Sequence, residues 1–142
     1  MKEVRYATLE DREEIYKLMV ELEEHDIDKI EFDKCFESNL KNKNIHYIVC
    51  QESETILGFA SVHFQQLLHH TSMIAELQEI IVTHSARRNG VGEMLLNEVK
   101  ALSKRFGCKQ LEVCCNQKRI HSHKFYEVQG MSCSHFKFCE KL

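Results

Sequence analysis

The sequence predicts an α+β fold: a mixed, mostly antiparallel central sheet flanked by about four helices. Three observations predict it. Runs with strand patterning are interleaved with segments whose apolar residues recur at helical spacing. Their order, β-α-α-β-β-β-α-β-α-β, calls for helices packed on a mixed sheet. No linker, repeat or low-complexity tract interrupts the 142 residues, so residues 1–142 read as a single domain with one buried core.

Each element has its own signature. Val4 to Ala7 is a short first strand. Thr8-Leu9-Glu10-Asp11 resembles a capping box, a hydroxyl followed three residues later by a carboxylate. Ile15, Leu18, Met19 and Leu22 then form the apolar stripe of a first helix. Phe32, Cys35, Phe36 and Leu40 repeat the pattern in a second, which ends near Asn42-Lys43-Asn44. His46 to Gln51 and Ile56 to Gln65 are two strands joined by the polar turn Glu52-Ser53-Glu54-Thr55, an antiparallel hairpin. Ser72 to Thr83 is a long fourth strand. Val91, Leu95, Val99, Leu102 and Phe106 define the third helix. Lys100, Lys104 and Arg105 complement its C-terminal dipole, and Gly107 follows it. Gln110 to Cys115 is a fifth strand, and Ser122 to Gln129 a short helix stopped by Gly130. The alternation of Cys133 to Cys139 predicts a last strand.

Composition narrows the function. The net charge of −3 argues against a general nucleic-acid binder, which needs a basic face. No apolar run approaches a membrane span, and the first residues lack the apolar core of a signal peptide. Seven cysteines without a C-x-x-C pair favour reduced thiols over a disulfide framework or zinc ribbon, and hence a cytoplasmic protein.

The most informative stretch is Arg87-Arg88-Asn89-Gly90-Val91-Gly92, between the apolar run Leu77 to Val82 and the third helix. The first N–H groups of a helix have no intrahelical partner, and the helix dipole favours an anion there. Glycine lets a phosphate approach the backbone closely. A basic, glycine-containing turn at this place is therefore a phosphate seat. The plain alternative is a surface turn with two arginines and a glycine cap.

The hexad fits Arg/Gln-x-x-Gly-x-Gly/Ala, and the chain resembles the GNAT superfamily of acyl-CoA-dependent N-acetyltransferases. That resemblance implies the same element order, with strands four and five splayed apart. It implies acetyl-CoA as cosubstrate, its pyrophosphate cradled by the amides from Arg88 to Gly92 with charge from Arg87 and Arg88. Its pantetheine arm would pair with the edge of Ile80, Ile81 and Val82. A proline common in the family stands here as His84. A second signature, Asn116 followed by Phe125-Tyr126-Glu127-Val128-Gln129-Gly130-Met131, also matches. It implies that Asn116 binds the pantetheine and that Tyr126 points its hydroxyl at the sulfur.

Direct transfer needs a base for the amine, a donor for the oxyanion and a proton for the thiolate. Tyr126 is the general-acid candidate and the Val82 N–H, or a neighbour, the oxyanion donor. Glu76 and Glu79 are the base candidates, since a carboxylate within an Ile/Leu/Val strand needs a reason. Strict alternation puts Glu76 and Gln78 on one face and Glu79 on the other. The resemblance implies an acidic or imidazole base at the position of Glu76, which makes it the first choice and Glu79 the second. A bulge would bring Glu79 round. Cys114 and Cys115 lack the surroundings that activate a thiol nucleophile.

His63, His69 and His70 precede the fourth strand, and Lys118, Arg119, His121 and His123 follow the fifth. Such groups suit an anionic substrate or, with the carboxylates, a divalent metal, although no ligand spacing is diagnostic. Together with Ser134-His135-Phe136, these residues are similar to the aminoalkylphosphonate N-acetyltransferases. That similarity implies a small primary amine bearing an anionic group, bound by His63, His69, His70 and Arg119. A non-catalytic acyl-CoA sensor or partner module and a protein or peptide acetyltransferase are the competing readings. An open edge on the last strand would allow a homodimer.

Overall fold

The computed structural model describes residues 1–142. Two compact units are distinguished, Met1–Glu112 and Val113–Leu142. Five strands form one sheet in the order β1-β2-β3-β4-β5: β1 Lys2–Tyr6, β2 Ile45–Glu52, β3 Thr55–Leu67, β4 Ser72–Val82 and β5 Leu111–Val113. The pairs from β1 to β4 are antiparallel, and β5 runs parallel to β4. Four α-helices accompany the sheet: α1 Arg12–Glu23, α2 Lys29–Leu40, α3 Val91–Arg105 and α4 Ile120–Val128.

The predicted Thr8–Asp11 cap is realised one turn early, at a 3-10 turn ahead of α1. The Asp11 carboxylate accepts the Thr8 N–H at 2.8 Å and an N–H from each terminal guanidinium nitrogen of Arg5 at 2.8 and 2.9 Å. The Arg5 hydrogen bonds hold the Asp11 carboxyl below its usual range.

The two faces of the sheet carry different helices. Val49, Phe59 and Ile81 pack with Ile15, Leu18 and Met19 of α1 and Phe36 of α2. The opposite face meets α3, which buries Val91, Leu95, Leu96, Val99 and Leu102 completely. Gly58 makes that approach close. A Cβ there would lie 2.9 Å from the Ile81 carbonyl and 3.0 Å from side chains of Val91 and Leu95. The first turn of α3 is thus pressed against the strand pair that carries Ile81.

One predicted element does not form. No strand follows α4; from Met131 on the chain has no regular structure, and Phe136 and Phe138 are 83% and 93% exposed. The Cys133–Cys139 alternation marks two faces but supplies no neighbour to complete a ladder, and a strand without one leaves its backbone to water. Strand β5 is also shorter than predicted, ending at Val113.

The Gly58 contact yields a test. Gly58→Ala should lower unfolding stability by about 1–3 kcal/mol, because the new methyl meets a backbone oxygen that cannot move aside. Urea denaturation followed by circular dichroism reads the effect; an unchanged midpoint would contradict it.

Candidate active site

The β3–β4 ladder decides where the strand-four carboxylates point. Ser61 pairs with Glu79, but Val62 pairs with Leu77, so Gln78 is an extra residue on β4. This is a β-bulge, and it reverses the alternation beyond it. Glu76 lies opposite His63, and Glu79 opposite Ser61. Ser61 and His63 share a face with Phe59, so both glutamates face the α1–α2 side. Strict alternation, which would put Glu79 on the opposite face from Glu76, does not hold here; the bulge brings Glu79 round to the same face.

The two carboxylates have different surroundings. Glu79 lines a cavity of about 300 Å³ among α1, α2 and the sheet, with Tyr47, Asn39 and Phe59 among its other walls. The fully buried Ser61 donates its hydroxyl to Glu79. Asn39 donates its amide to the Tyr47 hydroxyl at 2.7 Å. Burial is the main cause raising the Tyr47 phenol above its usual value, and the Glu79 charge adds to it. Glu76 does not line this cavity; it accepts the Gln78 side-chain amide at 2.8 Å. Tyr47, Asn39 and Ser61 were not singled out in the sequence. Ser61 and Tyr47 are polar groups within apolar strands, whereas Asn39 lies among other polar residues of α2 and carries no such signal.

Just past β4 the chain makes the predicted turn. The Thr83 N–H bonds the Leu57 carbonyl at 2.8 Å, and a 3-10 turn covers His84–Ala86. Arg88 and Gly90 both have positive φ, 63° and 79°, ahead of α3. Left-handed residues at a helix mouth turn successive N–H groups toward one point, an anion-binding concavity. Gly90 gives α3 no side-chain cap, and a Cβ there would meet nothing within 4 Å. The mouth is open, and Arg88, Asn89 and Gly90 are exposed around it. Arg87 is committed elsewhere: its guanidinium donates to the Val82 carbonyl at 3.2 Å and to Glu21 at 3.1 Å. It braces the turn against β4 and α1. Backbone hydrogen bonds set the approach to β5 beside the first half of β4, with Ala75 N–H donating to Gln110 O at 2.9 Å and Lys109 N–H to Met73 O at 2.9 Å. The Ile80–Val82 end of β4 lies beyond that stretch.

A helix mouth of free amides, followed along the same strand by a cavity-facing carboxylate, suits a phosphate-bearing acyl donor and an amine. Residues 8–131 match the family described as acetyltransferase (GNAT). The chain belongs to the acetyltransferase (GNAT) family. It is therefore an acetyltransferase. It is 34% identical, over 99% of its length and 91% of the relative's, to an aminoalkylphosphonate N-acetyltransferase of Salmonella typhimurium. Among solved structures, a transcriptional regulator from Bacillus halodurans superposes with a TM-score of 0.92 at 23% identity, covering 100% of both chains. Aminoglycoside N-acetyltransferase AAC(6')-Iy in complex with CoA superposes with a TM-score of 0.89 at 18% identity, covering 99% and 95%. At these identities the structural likeness shows the fold alone.

Within the second unit of the acetyltransferase, Asn116 lies in a turn rather than at a strand end. Its side-chain oxygen accepts the Lys118 N–H at 2.9 Å, and its carbonyl accepts the Arg119 N–H at 3.0 Å. Arg119 occupies the position just before α4. Tyr126 is half-buried, and burial is the main cause pushing its phenol up to about 12. It therefore holds its proton throughout the neutral range. Burial also raises the Cys115 thiol, which keeps it protonated and a poor nucleophile.

The predicted histidine group does not gather around the cavity. His63, His69 and His70 are absent from its walls. The His69 and His70 rings lie 4.4 Å apart, and His70 Nε2 is 3.7 Å from Glu112. No group of three or more His, Cys, Asp or Glu is arranged to hold a metal ion. The sequence left a divalent metal open, and this arrangement lends it no support. No helix is long and apolar enough to cross a membrane.

Gly90→Val tests the helix mouth. The left-handed backbone at φ 79° disfavours a β-branched residue. Affinity for coenzyme A should fall about tenfold or more, equivalent to about 1.4 kcal/mol. Calorimetry with CoA checks this, and wild-type affinity in the variant would argue against the amide seat.

Proposed function

We propose that the acetyltransferase moves the acetyl group of acetyl-CoA to the primary amine of a small anionic molecule, an aminoalkylphosphonate being the acceptor class the Salmonella relative favours. The carrying observation is the bulge at Gln78, which turns Glu79 into the cavity three residues before Val82. The roles of the individual residues belong to this proposal.

The amides from Arg88 to Gly92 and the dipole of α3 hold the pyrophosphate. The Ile80–Val82 edge takes the amides of the pantetheine arm as a further strand would. The thioester carbonyl then lies near Val82, whose N–H, or a neighbour's, meets the oxyanion.

An ammonium cannot attack, so Glu79 first holds it by charge and takes one proton. Ser61 keeps the carboxylate in place through its hydroxyl. The amine lone pair forms the C–N bond and the C–S bond breaks. Tyr126 gives its proton to the leaving sulfur, and the second amine proton restores the phenol through solvent. The products are the acetylated amine, the CoA thiol and one proton. His63, two residues from Ser61 on the same face, with His69, His70 and Arg119, are the groups proposed to meet the anion. The cavity volume, near the lower end of the roughly 300–1,000 Å³ span of small-molecule sites, favours a small acceptor over a peptide.

Three outcomes follow in a thiol-release assay with acetyl-CoA and 1-aminoalkylphosphonates. Wild type releases thiol only when both substrates are present. Glu79→Gln loses about 10²–10⁴-fold in kcat/KM, the span expected for a general base, whereas Glu76→Gln loses a few-fold. Equal losses, or a larger one for Glu76→Gln, would contradict the assignment of the base. Tyr126→Phe is expected to lower kcat by about 10²-fold while leaving CoA affinity within about threefold. A loss confined to CoA affinity would make Tyr126 a binding residue.

A further inference from the structure

We infer that the cavity beside Glu79 is an acceptor subsite for an uncharged, apolar substituent on the carbon that bears the amine. The preferred acceptor is then a branched or aromatic aminoalkyl compound rather than the smallest member of its class. This rests on the reading that Glu79 holds the amine.

The wall chemistry makes the argument. Ile15 and Met19 of α1, Phe32 and Phe36 of α2, and Phe59 of β3 supply apolar surface. The aromatic rings form a continuous row. Phe32 and Phe36 stack with centroids 5.8 Å apart, Phe36 and Tyr47 at 5.4 Å, and Tyr47 meets Phe59 edge-on at 5.4 Å. Ile15, Phe36 and Phe59 are each no more than 2% exposed and form a packed, preformed floor, while the half-buried Ile27, Phe32 and Tyr47 present the surface an occupant touches. Such a surface favours an apolar group, and its rings add attraction for the edge of another ring.

Charge decides what the occupant is not. Glu23 and Glu79 are the ionisable carboxylates in the lining, and no Lys, Arg or His contributes to it. A phosphonate inserted here would face two carboxylates without a cation, a repulsion that a low-dielectric wall strengthens. The ammonium belongs at Glu79, and the anionic end of the acceptor outside the cavity. What remains to fill about 300 Å³ is the substituent on the amine carbon.

The test is the ratio of kcat/KM across a series of 1-aminoalkylphosphonates with hydrogen, methyl, isobutyl or benzyl on the amine carbon. Acetyl-CoA is the donor and thiol release the readout. Wild type should favour isobutyl or benzyl over methyl by at least tenfold, the discrimination apolar pockets give per one or two methylenes. Met19→Phe, which fills the cavity, should reverse the order. Ile27→Phe at the half-buried loop position of the same lining should do so too, if Met19→Phe fails to fold by circular dichroism. Turnover of the smallest acceptor with a flat or falling series in wild type would overturn the subsite while leaving the acetyl-transfer reading intact. Retention of the wild-type order in both folded variants would also overturn it. No turnover of any amine would overturn both.

Discussion

Between Ser61 and Val62 the β3–β4 ladder admits Gln78 as an extra residue, and the rest of the site depends on that irregularity. Without it Glu79 would turn toward the face that receives α3, where buried Leu and Val side chains leave no place for a carboxylate. With it, Glu79 shares the α1–α2 face with Phe59 and Ser61, and Leu77 takes the apolar side opposite Val62. A single inserted residue satisfies both faces: the core keeps its leucine and the cavity receives its charge.

The same strand leads directly into the proposed anion seat. Ile81 is buried on one side, while Gly58, opposite Val82, allows Val91 and Leu95 to close on the other. Strand end, turn and helix mouth are therefore one packed assembly rather than a loop attached to a scaffold. Arg87 strengthens it by bridging the Val82 carbonyl and Glu21. Through those two bonds Arg87 holds the turn in place beside the open amides proposed to bind the diphosphate. On the other side of the molecule's chemistry, α1 and α2 do two jobs. Their apolar stripes cover the sheet, and the incomplete cover over Glu79 is the cavity.

Much of this was legible in the residues. The helical stripes of α1, α2 and α3 and the hairpin around Glu52–Thr55 are read directly because burial imposes a period on the side chains. The hexad is legible because a strand end, a glycine and a helix start must coincide for backbone amides to converge. The bulge was legible only as the alternative to strict alternation. Glu76-Leu77-Gln78-Glu79 contains no glycine or other local mark of an extra residue, and the pairing with β3 is what locates it at Gln78. The absent last strand fails for a related reason. The alternation of Cys133–Cys139 tells which side chains would share a face, while strand formation also requires backbone partners. The cavity walls were equally hidden: Phe32 and Phe36 read as ordinary helix core, because periodicity reports a buried face and not the gaps left in it.

The most direct test of the account is a crystal structure with a bisubstrate analogue, coenzyme A joined through an acetyl bridge to the nitrogen of a 1-aminoalkylphosphonate. The account predicts the bridged nitrogen within hydrogen-bond distance of the Glu79 carboxylate, and the diphosphate on the amides of Arg88 to Gly92. A nitrogen seated against Glu76 with Glu79 turned away, or a diphosphate bound elsewhere, would contradict it.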